Sequence, residues 1–202
     1  MVFIEEKAVG ALSEVVALAC GIDSAKARKI RIAACLHDIG KKKLKLLVDK
    51  PGKLTDAEFE LMKTHTTLGV AMLATLHGEL GEIARNIARW HHEHWDGNGY
   101  FGKYLCELPF YVEIVAIADV FTALLCERSY KASWPPKDAL AFIESQSNKQ
   151  FNPLLVEIFI PLVLNDLRVT AIFEPLLATG GERLFKKTLK TEASPYPSNV
   201  PK

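Results

Sequence analysis

The sequence predicts an all-α protein, a helical bundle of about seven helices with a short C-terminal extension. Apolar residues recur at helical spacing through most of the chain, and almost no segment alternates with the two-residue period of a strand. At 202 residues, the chain is long enough for one well-buried domain and short for two. The helices are expected near residues 5–20, 24–38, 55–77, 79–94, 109–129, 136–147 and 153–166.

Local signals support the first helix boundaries. An apolar run that includes Ile30 and Leu36 leads to Gly40, where a helix is expected to stop. Thr55 and Glu58 have the spacing of a capping box, which predicts that the third helix begins there.

The later helices carry comparable signals. Residues 83–90 have apolar side chains at helical spacing, and the Asp-Gly pair at 96–97 ends that segment. Residues 114–125 are nearly all apolar, which is typical of a buried helix. Pro136 and Pro153 stand where first-turn prolines are favoured, so they mark the starts of the last two helices.

The chain is expected to hold one domain over 1–168 and a C-terminal short helix with a mobile tail over 169–202. Gly180 and Gly181 are followed by a polar, proline-rich ending, which is typical of a mobile segment. No basic segment opens the chain and no run of about 18 apolar residues occurs. We therefore expect a cytoplasmic protein without a membrane span.

Charge and cysteine usage exclude several classes of protein. The formal net charge is +1, and no nucleic-acid-binding module is visible, so neither DNA nor RNA is an expected partner. The basic run at 41–45 either attracts an anionic nucleotide or is a solvated loop. The four cysteines form no C-x-x-C pair, which favours reduced thiols over a zinc ribbon.

Histidines and aspartates on four predicted helices form a candidate metal site. A carboxylate such as Asp119 in an apolar helix is costly unless a positive group meets it. Taken singly, Asp119 could pair with Arg31 or Arg128, and a lone histidine is more often a core residue than a ligand. One metal cluster would satisfy all of these groups at once. His77 and His94 lie outside this pattern and are expected to be surface residues. The candidate ligands are His37, Asp38, His65, His91, His92 and Asp119.

Five segments in this order resemble the HD-GYP subgroup of HD-domain phosphohydrolases. They span roughly residues 10 to 160 and read LHDIGK at 36–41, KPGKLTDAEFELMKTH at 50–65, HHEHWDGNGY at 91–100, IVAIADVFTALLCERSYK at 114–131, and FNP at 151–153. The resemblance implies an HD-domain helical bundle. It also implies hydrolysis of cyclic di-GMP, or of a related cyclic dinucleotide, at two or three iron or manganese ions. Other members of the subgroup are degenerate sensors.

The resemblance also assigns roles to individual residues. Asp38 would bridge two divalent ions, with His37 and Asp119 on one ion. His65, His91 and His92 would hold the other ion.

Substrate contacts follow from the same resemblance. Lys41 would approach the scissile phosphate. Gly99 and Tyr100 match the start of the GYP loop beside the substrate, and Arg128 and Lys131 match a pair that grips phosphate or guanine. The alternative for that pair is a solvated helix end, which cations also favour.

The sequence departs from the family pattern at three places. No histidine precedes His37 to complete one metal shell, and Glu5 or Glu6 is the candidate for an extra oxygen ligand. Phe101 replaces the proline of the loop, which is expected to loosen its backbone. Thr122 replaces a common aspartate, a change expected to adjust the surroundings of the metal ligands.

These observations predict a metal-dependent phosphodiesterase. It would convert cyclic di-GMP to the linear dinucleotide by means of a hydroxide held between two ions, iron or manganese. Two alternatives stay open: a degenerate module that binds a nucleotide or a signalling protein partner without turnover, and an HD phosphohydrolase acting on another nucleotide phosphoester. The sequence leaves the oligomeric state open.

Overall fold

The computed structural model describes residues 2–126 and 133–173. These two stretches consist of helices joined by turns and short loops, and they contain no strand beyond two isolated bridges. The prediction of an all-α bundle is therefore confirmed. The helices are α1 (Val2–Ala19), α2 (Ser24–Ala34), α3 (Lys45–Val48), α4 (Asp56–Lys63), α5 (His65–Met72), α6 (Gly78–Trp90), α7 (Phe110–Leu125), α8 (Pro136–Ser145), α9 (Pro153–Asn165) and α10 (Leu167–Phe173), with 3₁₀ helices at Ile39–Leu44 and Leu105–Glu107.

Helix α2 ends earlier than predicted. Its last helical residue is Ala34, and the chain then passes through a turn into the 3₁₀ helix that begins at Ile39. His37 and Asp38 therefore lie in a turn beyond the helix rather than on its last helical turn. The turn frees both side chains to face the interior.

The single helix predicted over 55–77 is two helices. The expected capping box at its start is confirmed, because Thr55 and Glu58 each bond the other's backbone N–H. The break falls at Thr64, whose hydroxyl donates to the carbonyl of Leu61 at 2.7 Å. A hydroxyl that bonds the preceding turn competes with the helical pattern, and a new helix starts at His65.

Helix α7 runs through the centre of the core. Apolar side chains on all of its faces are buried, among them Ile114, Ile117 and Phe121. Helix α1 packs against both α2 and α7, while α6 packs against α2 and α5. This arrangement surrounds Asp119 on α7 with the ends of α2 and α6.

The C-terminal end of the described chain packs onto the same core. The ring of Phe173 in α10 lies 5.6 Å from the ring of Phe121, and α10 also packs against α1. The predicted boundary between 168 and 169 falls inside α10, and the predicted tail lies mostly outside the described residues. None of the described helices has the length and hydrophobicity needed to cross a membrane.

Candidate metal centre

Three histidines of the candidate site share one local arrangement. Each follows the last turn of a helix, and its Nδ1 lies within hydrogen-bond distance of a carbonyl oxygen of that turn. The distances are 2.7 Å from His37 to Ala34, 2.7 Å from His65 to Met62 and 2.9 Å from His91 to Ile87. A carbonyl oxygen only accepts, so Nδ1 carries the proton, and a neutral ring presents the lone pair of Nε2 to the interior.

The three Nε2 atoms converge on two carboxylates. His37 and His65 are almost fully buried, at 2% and 1% exposure. The distances to Asp38 are 3.3 Å from His37, 3.2 Å from His65 and 3.7 Å from His91, and His37 also lies 3.4 Å from Asp119. The folded chain thus brings together residues 82 positions apart in the sequence, His37 and Asp119.

The ligand atoms form two overlapping groups that could each hold a metal ion. Within each group every ligand atom lies within 4.8 Å of the others. The first group is Asp38, His65, His91 and His92, and the second is His37, His91 and Asp119. The six predicted residues are all present, and His91 belongs to both groups.

Unsatisfied buried atoms indicate that a cation fits between these residues. Within the described residues, Asp38 Oδ1, His65 Nε2 and His91 Nε2 are buried and have no hydrogen-bond partner. With Nδ1 protonated, each neutral imidazole turns a lone pair toward a carboxylate oxygen, and two acceptors that face each other repel. A divalent ion between them removes the repulsion and satisfies all three atoms.

Nearby charges shift the pKa values of these groups in opposite directions. Burial lowers the pKa of His37, but Asp38 and Asp119 outweigh it and raise the pKa well above its usual value. Burial, and next the neighbouring His91, hold the pKa of His92 well below its usual value. His92 is therefore a neutral imidazole that can bind a divalent ion, whereas the carboxylates beside His37 favour its protonated form, so an ion bound there would have to displace the proton of Nε2.

Lys41 lies beside the carboxylate of Asp38. Its ammonium forms an ion pair with Asp38 from the first turn of the 3₁₀ helix Ile39–Leu44. Burial opposes ionisation of Asp38, but Lys41 and His37 hold the pKa of that carboxyl well below its usual value. Asp38 is thus a carboxylate at neutral pH, as a metal ligand must be.

A backbone contact at Gly40 positions the Asp38 turn against His65. A Cβ added to Gly40 would lie 1.9 Å from the carbonyl oxygen of His65 and 2.6 Å from the backbone nitrogen of Gly69. Only glycine allows the two backbones to approach so closely. The glycine that the sequence marks as a helix stop therefore also joins two parts of the site.

Tyr100 covers the edge of the site from the loop after α6. Its ring stacks on His92, with centroids 4.5 Å apart and planes inclined by 32°. The ammonium of Lys63 lies 5.5 Å from the centre of the same ring. Burial, Asp38 and Asp119 raise the pKa of the Tyr100 hydroxyl, which therefore stays protonated and can donate a hydrogen bond.

Comparison with known proteins assigns the family. A model described as "HD domain" matches residues 2–155, which is most of the chain. The chain belongs to the HD domain family. The sequence-based assignment to this family is confirmed.

Two curated relatives of this HD domain are named as cyclic dinucleotide phosphodiesterases. A cyclic di-GMP phosphodiesterase of Thermotoga maritima is 42% identical over 157 residues, covering 76% of this chain and 42% of the relative. A 3'3'-cGAMP-specific phosphodiesterase of Vibrio cholerae is 37% identical, covering 69% of this chain and 27% of the relative. The chain therefore spans less than half the length of either protein.

A solved structure supports the fold. The protein Bd1817 from Bdellovibrio bacteriovorus, described as an "HDG"Y"P protein", superposes with a TM-score of 0.66 at 18% identity. The match covers 81% of this chain and 52% of that chain. The described helices thus follow the arrangement of an HD-domain bundle.

The predicted extra ligand is absent from both ligand groups of the HD domain. Neither Glu5 nor Glu6 of α1 is among the residues that could hold a metal ion. Burial raises the pKa of Glu6, while His37 opposes the shift and Asp38 adds to it. Glu6 therefore acts on the site electrostatically, and Glu5 or Glu6 as a direct ligand stays a prediction.

Four further sequence interpretations have different outcomes. Arg128 and Lys131 lie outside the described residues. Arg31 bonds Glu14 at 2.8 Å, so the alternative pairing of Arg31 with Asp119 is wrong. The hydroxyl of Thr122 donates to the carbonyl of Ala118 at 2.7 Å, and its expected effect on the surroundings of the metal ligands stays a prediction. His77 is exposed as expected, whereas His94 is partly buried.

Two contacts involve Phe101, while the expected loosening of its backbone stays a prediction. The backbone N–H of Phe101, which a proline would lack, donates to Glu93 at 2.9 Å. The ring of Phe101 packs edge-on against Trp90, with centroids 5.4 Å apart. Sequence analysis did not single out Glu93, although a carboxylate directly after two histidines and before a glycine-rich loop was a usable signal.

Proposed function

We propose that this HD domain is a metal-dependent phosphodiesterase that opens one phosphodiester bond of a cyclic dinucleotide, with cyclic di-GMP as the substrate. The observation that carries the proposal is the convergence of the three imidazole Nε2 atoms on Asp38 and Asp119. The relatives named as cyclic dinucleotide phosphodiesterases supply the substrate class.

Two divalent ions, iron or manganese, would be held at the site. His37 and Asp119 would hold one ion, and His65, His91 and His92 the other, with Asp38 within reach of both; the single free lone pair of His91 Nε2 can serve only one ion. Bound ions of this kind supply an acidified water and compensate the negative charge that builds on a phosphate oxygen during attack. Imidazole and carboxylate ligands together suit both metals.

The chain's own side chains would orient the substrate. The Lys41 ammonium would pair with a substrate phosphate, because a lysine paired with Asp38 can exchange that carboxylate for a second anion once cations neutralise it. The Tyr100 ring stacks on His92, and its protonated hydroxyl would donate a hydrogen bond to the same substrate. Gly99 would allow the loop that carries Tyr100 to pack closely against the backbone of His92 and Glu93.

Product analysis tests the proposal. The protein loaded with manganese or iron without oxygen is incubated separately with cyclic di-GMP, 3'3'-cGAMP and a mononucleotide, and the products are separated by chromatography. We expect the linear dinucleotide from cyclic di-GMP. Asp38→Ala should abolish the reaction, whereas Asp49→Ala, which changes an exposed aspartate of the same segment, should leave it intact.

Two results would contradict the proposal. Hydrolysis of the mononucleotide without cleavage of either cyclic dinucleotide would show a different phosphohydrolase. Fewer than one tightly held metal ion per chain, together with binding of cyclic di-GMP but no product, would show the degenerate binding module instead.

A further inference from the structure

Glu93 is a buried carboxylate that the proposed reaction does not use. It follows His91 and His92 directly, and only 1% of it is exposed. One carboxylate oxygen accepts from the N–H of Phe101 at 2.9 Å, and the other accepts from the N–H of Lys103 at 2.7 Å. A buried carboxylate is costly without such donors, so these two bonds are its compensation.

The loop that these bonds hold lies directly on the metal-binding segment. A Cβ added to Gly99 would lie 2.4 Å from Glu93 Cα and 2.6 Å from the carbonyl oxygen of His92. Between Gly99 and Phe101 stands Tyr100, whose ring stacks on His92. Tyr100 is thus fixed on one side by a glycine contact and on the other by the bond to Glu93.

We propose that Glu93 is a positioning residue that sets the placement of Tyr100 over His92. Its two oxygens accept from the backbone N–H groups of Phe101 and Lys103, which are two residues apart. The carboxylate therefore fixes both the position and the direction of the loop. Glu93 itself does not reach the ligand atoms; it acts through the loop. The expected effect on substrate binding rests on the proposed function, whereas the effect on the loop does not.

Phe101 makes this arrangement available in this chain. The residue that replaces the family's proline supplies an N–H, and that N–H is one of the two donors to Glu93. The side chain of Phe101 is held as well, since the guanidinium of Arg89 lies 4.8 Å from its ring centre. The substitution therefore exchanges a fixed backbone angle for a hydrogen bond to a buried anion.

Amide exchange in the variant Glu93→Gln tests the proposal. A glutamine has one carbonyl oxygen where glutamate has two acceptors, and its NH₂ group would face a second donor. We expect the amide hydrogens of Phe101 and Lys103 to exchange roughly tenfold to a hundredfold faster, measured by NMR, while α7 keeps its protection. Glu113→Gln, at another buried glutamate that accepts from Asn152, is the matched control and should leave the loop amides unchanged.

Kinetics separate positioning from general stability. In the metal-loaded enzyme, Glu93→Gln should raise KM for cyclic di-GMP roughly tenfold with kcat and metal content nearly unchanged. Unchanged exchange at Phe101 and Lys103, or faster exchange throughout α6 and α7 with loss of metal, would overturn the proposal. If the wild-type protein turns over no cyclic dinucleotide, the proposed function fails, and the exchange experiment alone decides on Glu93.

A second pair of variants covers the case in which Glu93→Gln does not fold. Phe101→Pro removes the N–H and the ring and also fixes φ at that position, whereas Phe101→Ala removes the ring but keeps the N–H. The Lys103 amide should exchange faster in Phe101→Pro than in Phe101→Ala. Equal exchange in the two variants would contradict the role of the bond to Glu93.

Discussion

Three of the four histidines of the candidate metal centre are oriented by nearby backbone carbonyls. A carbonyl oxygen has two lone pairs, so one in the last turn of a helix can accept from a side chain just beyond the helix as well as from a backbone N–H; the carbonyls of Ala34 and Ile87 accept both. His37, His65 and His91 use such carbonyls three or four residues earlier in the chain. The direction of each Nε2 therefore follows from where a helix ends, before any metal is bound.

Asp119 and Asp38 should differ in their effect on metal content. Asp119 belongs only to the group with His37 and His91, whereas Asp38 contacts histidines of both groups. We expect Asp119→Ala to lower the metal content from two ions per chain to one, and Asp38→Ala to remove both. Metal analysis after anaerobic purification measures this difference.

The control for this experiment is Asp49→Ala, at an exposed aspartate outside both groups. Equal loss in Asp119→Ala and Asp38→Ala would mean that the two ligand groups do not act as separate sites.

At the scale of helices, the contact between the 3₁₀ helix Ile39–Leu44 and α5 holds the two halves of the site together. Gly40→Ala would force the backbones apart, since no space exists for the added methyl group. We expect a loss of about 1–3 kcal/mol in the free energy of unfolding, as for other overpacked positions. Denaturant unfolding measures the loss.

Lys43→Ala provides the comparison. Lys43 is exposed in the same 3₁₀ helix, so this variant should change stability by less than about 0.5 kcal/mol. A Gly40→Ala protein as stable as Lys43→Ala would show that the close contact is not required.

Helix α4 should lose stability in acid through Glu58. A hydrogen bond from Lys50, followed by the bonds from Thr55, lowers the pKa of Glu58 from 4.5 to about 2. Because the folded-state pKa is the lower one, the stabilisation is present above pH 4.5 and is lost as the pH falls toward about 2. The difference in Tm between wild type and Glu58→Gln should therefore shrink between about pH 6 and about pH 3.

Ala57→Gln is the control for that comparison, because it adds the same neutral side chain at an exposed position of α4. Its Tm difference from wild type should be the same at both pH values. A Glu58→Gln difference that does not depend on pH would contradict the assigned pKa shift.

Over the whole molecule, sequence reasoning predicted what depends on local pattern. The all-α class and the capping box at Thr55 follow from apolar spacing and cap chemistry, and the structure contains both. The break at Thr64 was not predicted, because the apolar spacing continues across it and only a hydroxyl-to-carbonyl bond marks the change. The extent of α10 depends on packing against Phe121, which no local signal reveals.

In the candidate site, too, some features could be predicted from the sequence and others could not. The six candidate ligands could be singled out because histidine and aspartate are conspicuous in apolar helices, and the structure brings them together; their role as metal ligands stays a prediction. The membership of His91 in both groups depends on how α2, α5, α6 and α7 pack together. The bonds of Glu93 depend on the path of the loop after α6, which returns to it ten residues later. These contacts arise from the tertiary arrangement, and the spacing of residues along the sequence does not reveal them.

The most direct test of the metal centre is a crystal structure of the metal-loaded protein with anomalous data collected at the absorption edge of the bound metal. We expect two anomalous peaks, one within ligand distance of His37 and Asp119 and one within ligand distance of His65 and His92, with Asp38 between them. A peak elsewhere in the molecule, or a pocket without anomalous signal in a protein saturated with manganese or iron, would contradict this expectation.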